Sequence, residues 1–108
     1  FKLDGKVSVV TGGADGLGLV MGEALASAGS DVAILDLNLT KGEEAAERLA
    51  AEYGVKVKAW ELSVTDREQV PVVLDEVIAE LGGVDVLLNN AGIVGAAMAA
   101  QYLLVDVK

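Results

Sequence analysis

The segment Thr11-Gly12-Gly13-Ala14-Asp15-Gly16-Leu17-Gly18 places four glycines among eight residues, a density that lets the backbone come close to another molecule and present its amides. Where such a turn joins a strand to a helix, the first helical amides sit at the positive end of the helix dipole and can face an anion. Gly13 and Gly18 are also spaced as in a nucleoside-triphosphate loop. However, Leu19 and Val20 occupy the places of the phosphate-binding Lys and the magnesium-binding Ser or Thr, so triphosphate hydrolysis is rejected. The spacing Gly12, Gly16, Gly18 departs from the G-x-G-x-x-G of most dinucleotide folds, and taken alone it reads equally well as a plain tight turn.

Asp36 changes that balance. It lies eighteen residues after Gly18 and ends an apolar run, close to the ~20 residues expected before an acid that binds adenosine ribose hydroxyls. A carboxylate there accepts from a 2'-hydroxyl and repels a 2'-phosphate. No Arg or Lys lies between Gly12 and Gly18, and Leu37 follows the acid, so NAD is expected over NADP. The competing reading of Asp36 is a solvated strand end.

Composition removes other chemistries. With no Cys and no His, the 108-residue chain has no disulfide, no thiol nucleophile and no histidine for proton transfer, and most zinc sites are excluded. A net charge of -9 repels nucleic-acid backbones and anionic membrane surfaces, so neither is expected as a partner. No apolar run reaches the ~20 residues of a membrane span; Ala91 to Val105 is interrupted by Gln101. The chain begins at Phe1 without a basic region and cleavage site, and a cytoplasmic location is expected. Its length fits one domain, residues 1–108.

The elements that must position the turn and the acid alternate. Lys6 to Thr11 is a β-branched run that ends at the glycines, and Gly16 to Ala28 carries Leu17, Val20, Met21, Ala24, Leu25 and Ala28 at helical spacing. Asp31 to Leu37 reads as a strand covered on both faces. Thr40 with Glu43 predicts a capping box before a helical face of Ala45, Ala46, Leu49, Ala50 and Tyr53. Val55 to Leu62 follows, with lysines that suit a sheet edge. Thr65 with Glu68 predicts a second capping box, and Val70, Val73, Leu74, Val77, Ile78 and Leu81 mark the third helix; Pro71 requires that helix to start near Val70 or to bend. Val84 to Leu88 is the fourth strand, and a weak helical tail runs from about Gly95. The alternation predicts an α/β fold, a doubly wound parallel sheet of about four strands in the order 3-2-1-4. The edge at Val84 to Leu88 carries no lysine, and self-association through it is expected.

Thr11 to Gly18, in the form T-G-x-x-x-G-x-G, together with Asn89-Asn90-Ala91-Gly92 at the end of the fourth strand, resembles the short-chain dehydrogenases/reductases. Asp4-Gly5-Lys6 and Asp85-Val86-Leu87-Leu88 also look like that family. The resemblance implies a Rossmann-like NAD-binding domain and an oxidoreductase that moves a hydride between NAD and an alcohol or carbonyl. It places cofactor contacts at Gly12, Asp15, Gly16, Leu17, Gly18, Asp36, Leu37, Ser63, Val64, Asn90, Ala91 and Gly92, and implies that Asn89 helps to hold the central strands together. Ser63 stands where the family usually has an acid against the adenine amino group, and Asp15 where it often has Ser; a carboxylate there is unfavourable beside a pyrophosphate unless it points to solvent.

The family's catalytic Ser and Y-x-x-x-K lie past the fourth strand. Here Tyr102 is followed four residues later by Asp106 and Tyr53 by Val57, so no catalytic residue and no metal ligand is assigned. The chain then reads as the cofactor-binding half of such an enzyme, inactive alone, the alternative being a non-catalytic NAD-binding or interaction module.

Overall fold

A computed structural model describes residues 2–63 and 65–90. The order is β1 (Val7–Thr11), α1 (Gly16–Ser27), β2 (Asp31–Asp36), α2 (Leu39–Tyr53), β3 (Val57–Glu61), α3 (Gln69–Leu81) and β4 (Val86–Asn89). All pairings are parallel, and the strands lie in the order β3-β2-β1-β4, the expected doubly wound arrangement. Thr11 stands level with Leu35 and Asn89, so β1, β2 and β4, each of which leads into candidate site residues, end together at one rim of the sheet.

The strands are apolar on consecutive residues because both faces are covered. Val7, Val9, Ala33, Leu35 and Leu87 pack beneath α3, whose Val70, Val73, Leu74 and Val77 recur at helical spacing. Val10, Val32, Ile34 and Val57 pack on the opposite face against Ala26 of α1 and Ala45, Ala46 and Leu49 of α2.

The face that α1 turns to the sheet differs from the one its large apolar residues mark. Gly18, Gly22 and Ala26 are buried, whereas Leu17 and Val20 are each 62% exposed. Gly42, which hydropathy also passes over, is buried in α2 and lies so near β3 that a Cβ would stand 3.1 Å from the Ala59 methyl. Small residues gain little from burial, but they let a helix axis approach the strands, and close approach decided which face turned inward.

Neither capping box forms. Asn38, two residues before Thr40, caps α2 by accepting from the Lys41 amide at 3.1 Å, which leaves Thr40 inside the first turn. Ahead of α3, the Asp66 carboxylate accepts from the Glu68 and Gln69 amides, both at 3.2 Å, while the Thr65 hydroxyl bonds that of Ser63 at 2.7 Å. In both cases a nearby Asn or Asp side chain reached the free amides first. Pro71 is the third residue of α3, where a missing N–H costs no intrahelical bond, as its position near the helix start required.

A surface cluster joins α1 to α2. The Tyr53 hydroxyl donates to Glu23 at 2.9 Å, and Arg48 donates to Glu23 at 3.2 Å and to Glu52 at 2.9 Å. The hydrogen bond from Tyr53, aided by Arg48, holds the Glu23 carboxyl below its ordinary range, and the same bond pushes the Tyr53 phenol up.

Candidate functional site: a turn, an acid and an asparagine at the strand ends

The site is built where β1 ends between β2 and β4. The Gly12 amide donates to the Leu35 carbonyl at 2.7 Å, which anchors the turn to β2. The Thr11 hydroxyl donates to Asn89 Oδ1 at 3.1 Å and accepts from the Asn90 amide at 3.0 Å, tying β1 to the end of β4. Asn89 therefore does hold the central strands together. Asn90 lies against the turn, its side-chain nitrogen 3.5 Å from the Gly12 carbonyl oxygen.

Two glycines are required by this geometry for different reasons. Gly16 adopts φ +56°, in the left-handed region, and a Cβ there would meet nothing within 4 Å, which leaves open space beside the start of α1. Gly18 is buried, and a Cβ there would collide with the Gly12 carbonyl and stand 2.9 Å from Asn90 Nδ2. The second glycine brings helix, turn and the end of β4 together; the first takes a left-handed backbone beside open space.

Asp15 occupies the N-cap position of α1 in an extended conformation and makes no capping hydrogen bond. The amides of Gly16, Leu17 and Gly18, which precede the first intrahelical bond from Leu19 to the Asp15 carbonyl, are claimed by no side-chain cap. Instead the Asp15 carboxylate points to solvent and pairs with Lys41 Nζ at 3.1 Å. The Asp15 charge is thus turned outward and partnered.

Asp36 ends β2 beside this turn. One carboxylate oxygen accepts from the Ala14 amide at 3.1 Å and the other from the Asn38 amide at 2.9 Å. Each oxygen keeps a lone pair for a hydroxyl, and two backbone donors fix the orientation. Leu37 next to it is 68% exposed. The Leu62 amide donates to the Asp36 carbonyl at 3.0 Å, which brings the half-buried Ser63 to the same rim. Gly12, Asp15, Gly16, Leu17, Gly18, Asp36, Leu37, Ser63 and Asn90 thus gather at one end of the sheet; Val64, Ala91 and Gly92 lie outside the described residues, as do the tail from Gly95 and Tyr102.

Asn38 and Lys41 were not singled out from sequence. Asn38 has a legible signal, a cap residue just past a strand, but the Lys41 contact spans 26 positions and has none. Among the described residues no group of three or more acidic side chains could hold a metal, and no helix is long and apolar enough to cross a membrane.

Comparison with known proteins agrees with this architecture. The family described as short chain dehydrogenase matches residues 6–108. A sorbose reductase of Candida albicans is 43% identical over 93 residues, covering 86% of this chain and 33% of that protein. A 3-oxoacyl-acyl-carrier-protein reductase of Aquifex aeolicus is 38% identical over 105 residues, covering 97% of this chain and 42% of that protein. Among solved structures, L-sorbose reductase from Gluconobacter frateurii, complexed with NADPH and L-sorbose, superposes with a TM-score of 0.80 at 35% identity, covering 85% of this chain and 35% of that one. An NAD+-bound xylitol dehydrogenase gives 0.80 at 36% identity, covering 86% and 35%. The chain spans 33% to 42% of the length of these two curated relatives. With a parallel β3-β2-β1-β4 sheet, a glycine turn at its rim and a family match from residue 6 to residue 108, this chain belongs to the short chain dehydrogenases, as their N-terminal half.

Proposed function

We propose that the chain is the cofactor-binding half of an NAD-dependent oxidoreductase, which transfers a hydride between NAD and an alcohol or carbonyl substrate. The observation that carries this reading is the Asp36 carboxylate, fixed by the Ala14 and Asn38 amides at the mouth of a turn whose first helical amides no side chain caps. The turn fits a pyrophosphate, since Gly16 opens space beside those amides. Gly12, Gly16, Leu17 and Gly18 would hold the pyrophosphate and Asp36 the ribose hydroxyls, with Leu37, Ser63 and Val64 around the adenine and Asn90, Ala91 and Gly92 beside the nicotinamide-side ribose. Bound there, the nicotinamide supplies the hydride chemistry; the residues of this chain orient it.

The related structures include both NADPH-bound and NAD+-bound enzymes. Asp36 favours NAD, because a 2'-phosphate would bring a second negative charge against a carboxylate that already has two neutral donors and no cation within the turn. Calorimetric titration with NAD, NADH and NADP tests the reading: NAD is expected to bind more tightly than NADP by about 1–3 kcal/mol, the scale of an unpaired polar mismatch. Equal affinities would refute it.

A second reading is favoured by one observation, the commitment of Tyr53 to Glu23 and the want of a lysine four residues after either tyrosine. On that reading the chain is a non-catalytic NAD-binding or interaction module; on both, the chain by itself turns over no alcohol. A cytoplasmic location belongs to the same proposal. So does self-association through the outer edge of β4, which no described strand pairs. Sedimentation at micromolar concentration reads it, and a clean monomer would rule it out.

A further inference from the structure

The turn and the loop after β2 are joined by a closed ring of hydrogen bonds. Ala14 N donates to Asp36, Asn38 N donates to the other oxygen of Asp36, Lys41 N donates to the Asn38 side chain, and Lys41 Nζ returns to Asp15. The ring runs around the rim just beyond Asp36, the place of the adenosine ribose. Its last link is unusual in both partners. Asp15 stands at a helix N-cap, where an aspartate ordinarily accepts from the amides of its own helix, and it does not. Lys41 is in the first turn of α2, where the helix dipole disfavours a cation, so its ammonium gains from a nearby carboxylate.

We infer that Asp15 is a positioning residue for cofactor choice: it holds the Lys41 ammonium in an ion pair across the rim, away from the position that a 2'-phosphate on the adenosine ribose would occupy. This rests on the cofactor reading above and deepens it. Asp36 supplies the repulsion of a 2'-phosphate, and Asp15 withholds the Lys41 cation that could relieve it. Lysine suits this role, because its compact charge sits on a flexible stem that can swing to a new anion once its partner is neutral. The pair is exposed, at 55% for Lys41 and 67% for Asp15, so the substituted chains are expected to fold as the parent does and the effect to be modest and sensitive to salt.

The experiment is titration of NAD and NADP at low ionic strength into the chain, into Asp15→Asn, into Lys41→Met, and into the double variant. Asp15→Asn is expected to raise the affinity for NADP relative to NAD by about fivefold, the upper scale of one exposed charge contact, and the gain should shrink as salt rises. The double variant should return to the starting ratio, and Lys41→Met alone should shift the ratio further toward NAD, because the Asp15 carboxylate is then left unpaired at the rim. If Asp15→Asn tightened NAD and NADP equally, Asp15 would be acting on the pyrophosphate and the inference would be overturned. A gain that survived in the double variant would overturn it too. A chain that preferred NAD but showed no change in Asp15→Asn would sink this inference alone, whereas one that bound neither dinucleotide would sink the cofactor reading and this inference with it.

Discussion

Gly18→Ala is expected to abolish dinucleotide binding and to lower stability by about 1–3 kcal/mol, the scale of an overpacked contact that side-chain rotation cannot relieve. The added Cβ meets the Gly12 carbonyl and stands 2.9 Å from Asn90 Nδ2, so α1 must back away from both the turn and the end of β4. That displacement moves the first-turn amides and separates the strand ends that Thr11 ties together. Chemical denaturation and NAD titration measure the two effects. Gly16→Val distinguishes space from support. Its side chain would enter an open region, and the cost to the fold is the left-handed backbone, about 1–3 kcal/mol. The valine would fill the room left for the pyrophosphate, so NAD binding should be lost in a chain that still folds. Normal NAD binding by Gly16→Val would show that the turn does not hold a pyrophosphate.

The second large effect concerns Asp36. Asp36→Asn removes the charge but leaves one side-chain oxygen to accept from a backbone amide, and Asp36→Ala removes both acceptors. The preference for NAD should therefore shrink in both variants, by most of its expected 1–3 kcal/mol, about 5- to 150-fold in relative affinity. Only Asp36→Ala should also weaken NAD binding markedly, because the Ala14 and Asn38 amides lose their partner and the turn loses its link to the loop after β2. Dissociation constants for both dinucleotides separate the charge effect from the loss of order. A ratio unchanged in either variant would place Asp36 away from the 2'-position.

Much of this architecture is local information. The β-branched run ending at Gly12, the helical spacing of Val70, Val73, Leu74 and Val77, and the lysine-bearing strand at the sheet edge each follow from patterns a few residues long, and the structure has them where those patterns put them. The spacing from Gly18 to Asp36 is also legible, because one helix and one strand of ordinary length separate the glycine turn from the acid beside it. The capping boxes misled because several Asn, Asp and Thr side chains stood within reach of the same free amides, and competition over a few ångströms is not written in a spacing rule.

The order of strands and helices, the glycine turn and the acid are legible in the residues alone, since each depends on backbone preferences and on burial by residue type. How closely the elements approach, and which distant charges meet, follows only from the folded arrangement. Gly18 and Gly42 carry no hydrophobic signal, yet Gly18 sets how closely α1 approaches the turn and Gly42 how closely α2 approaches β3, because a Cβ on the first would collide with the Gly12 carbonyl and one on the second would crowd the Ala59 methyl. The meeting of Asp15 with Lys41 likewise depends on packing: α1 and α2 lie side by side on one face of the sheet, and their first turns bring together two charges 26 residues apart that no local pattern relates.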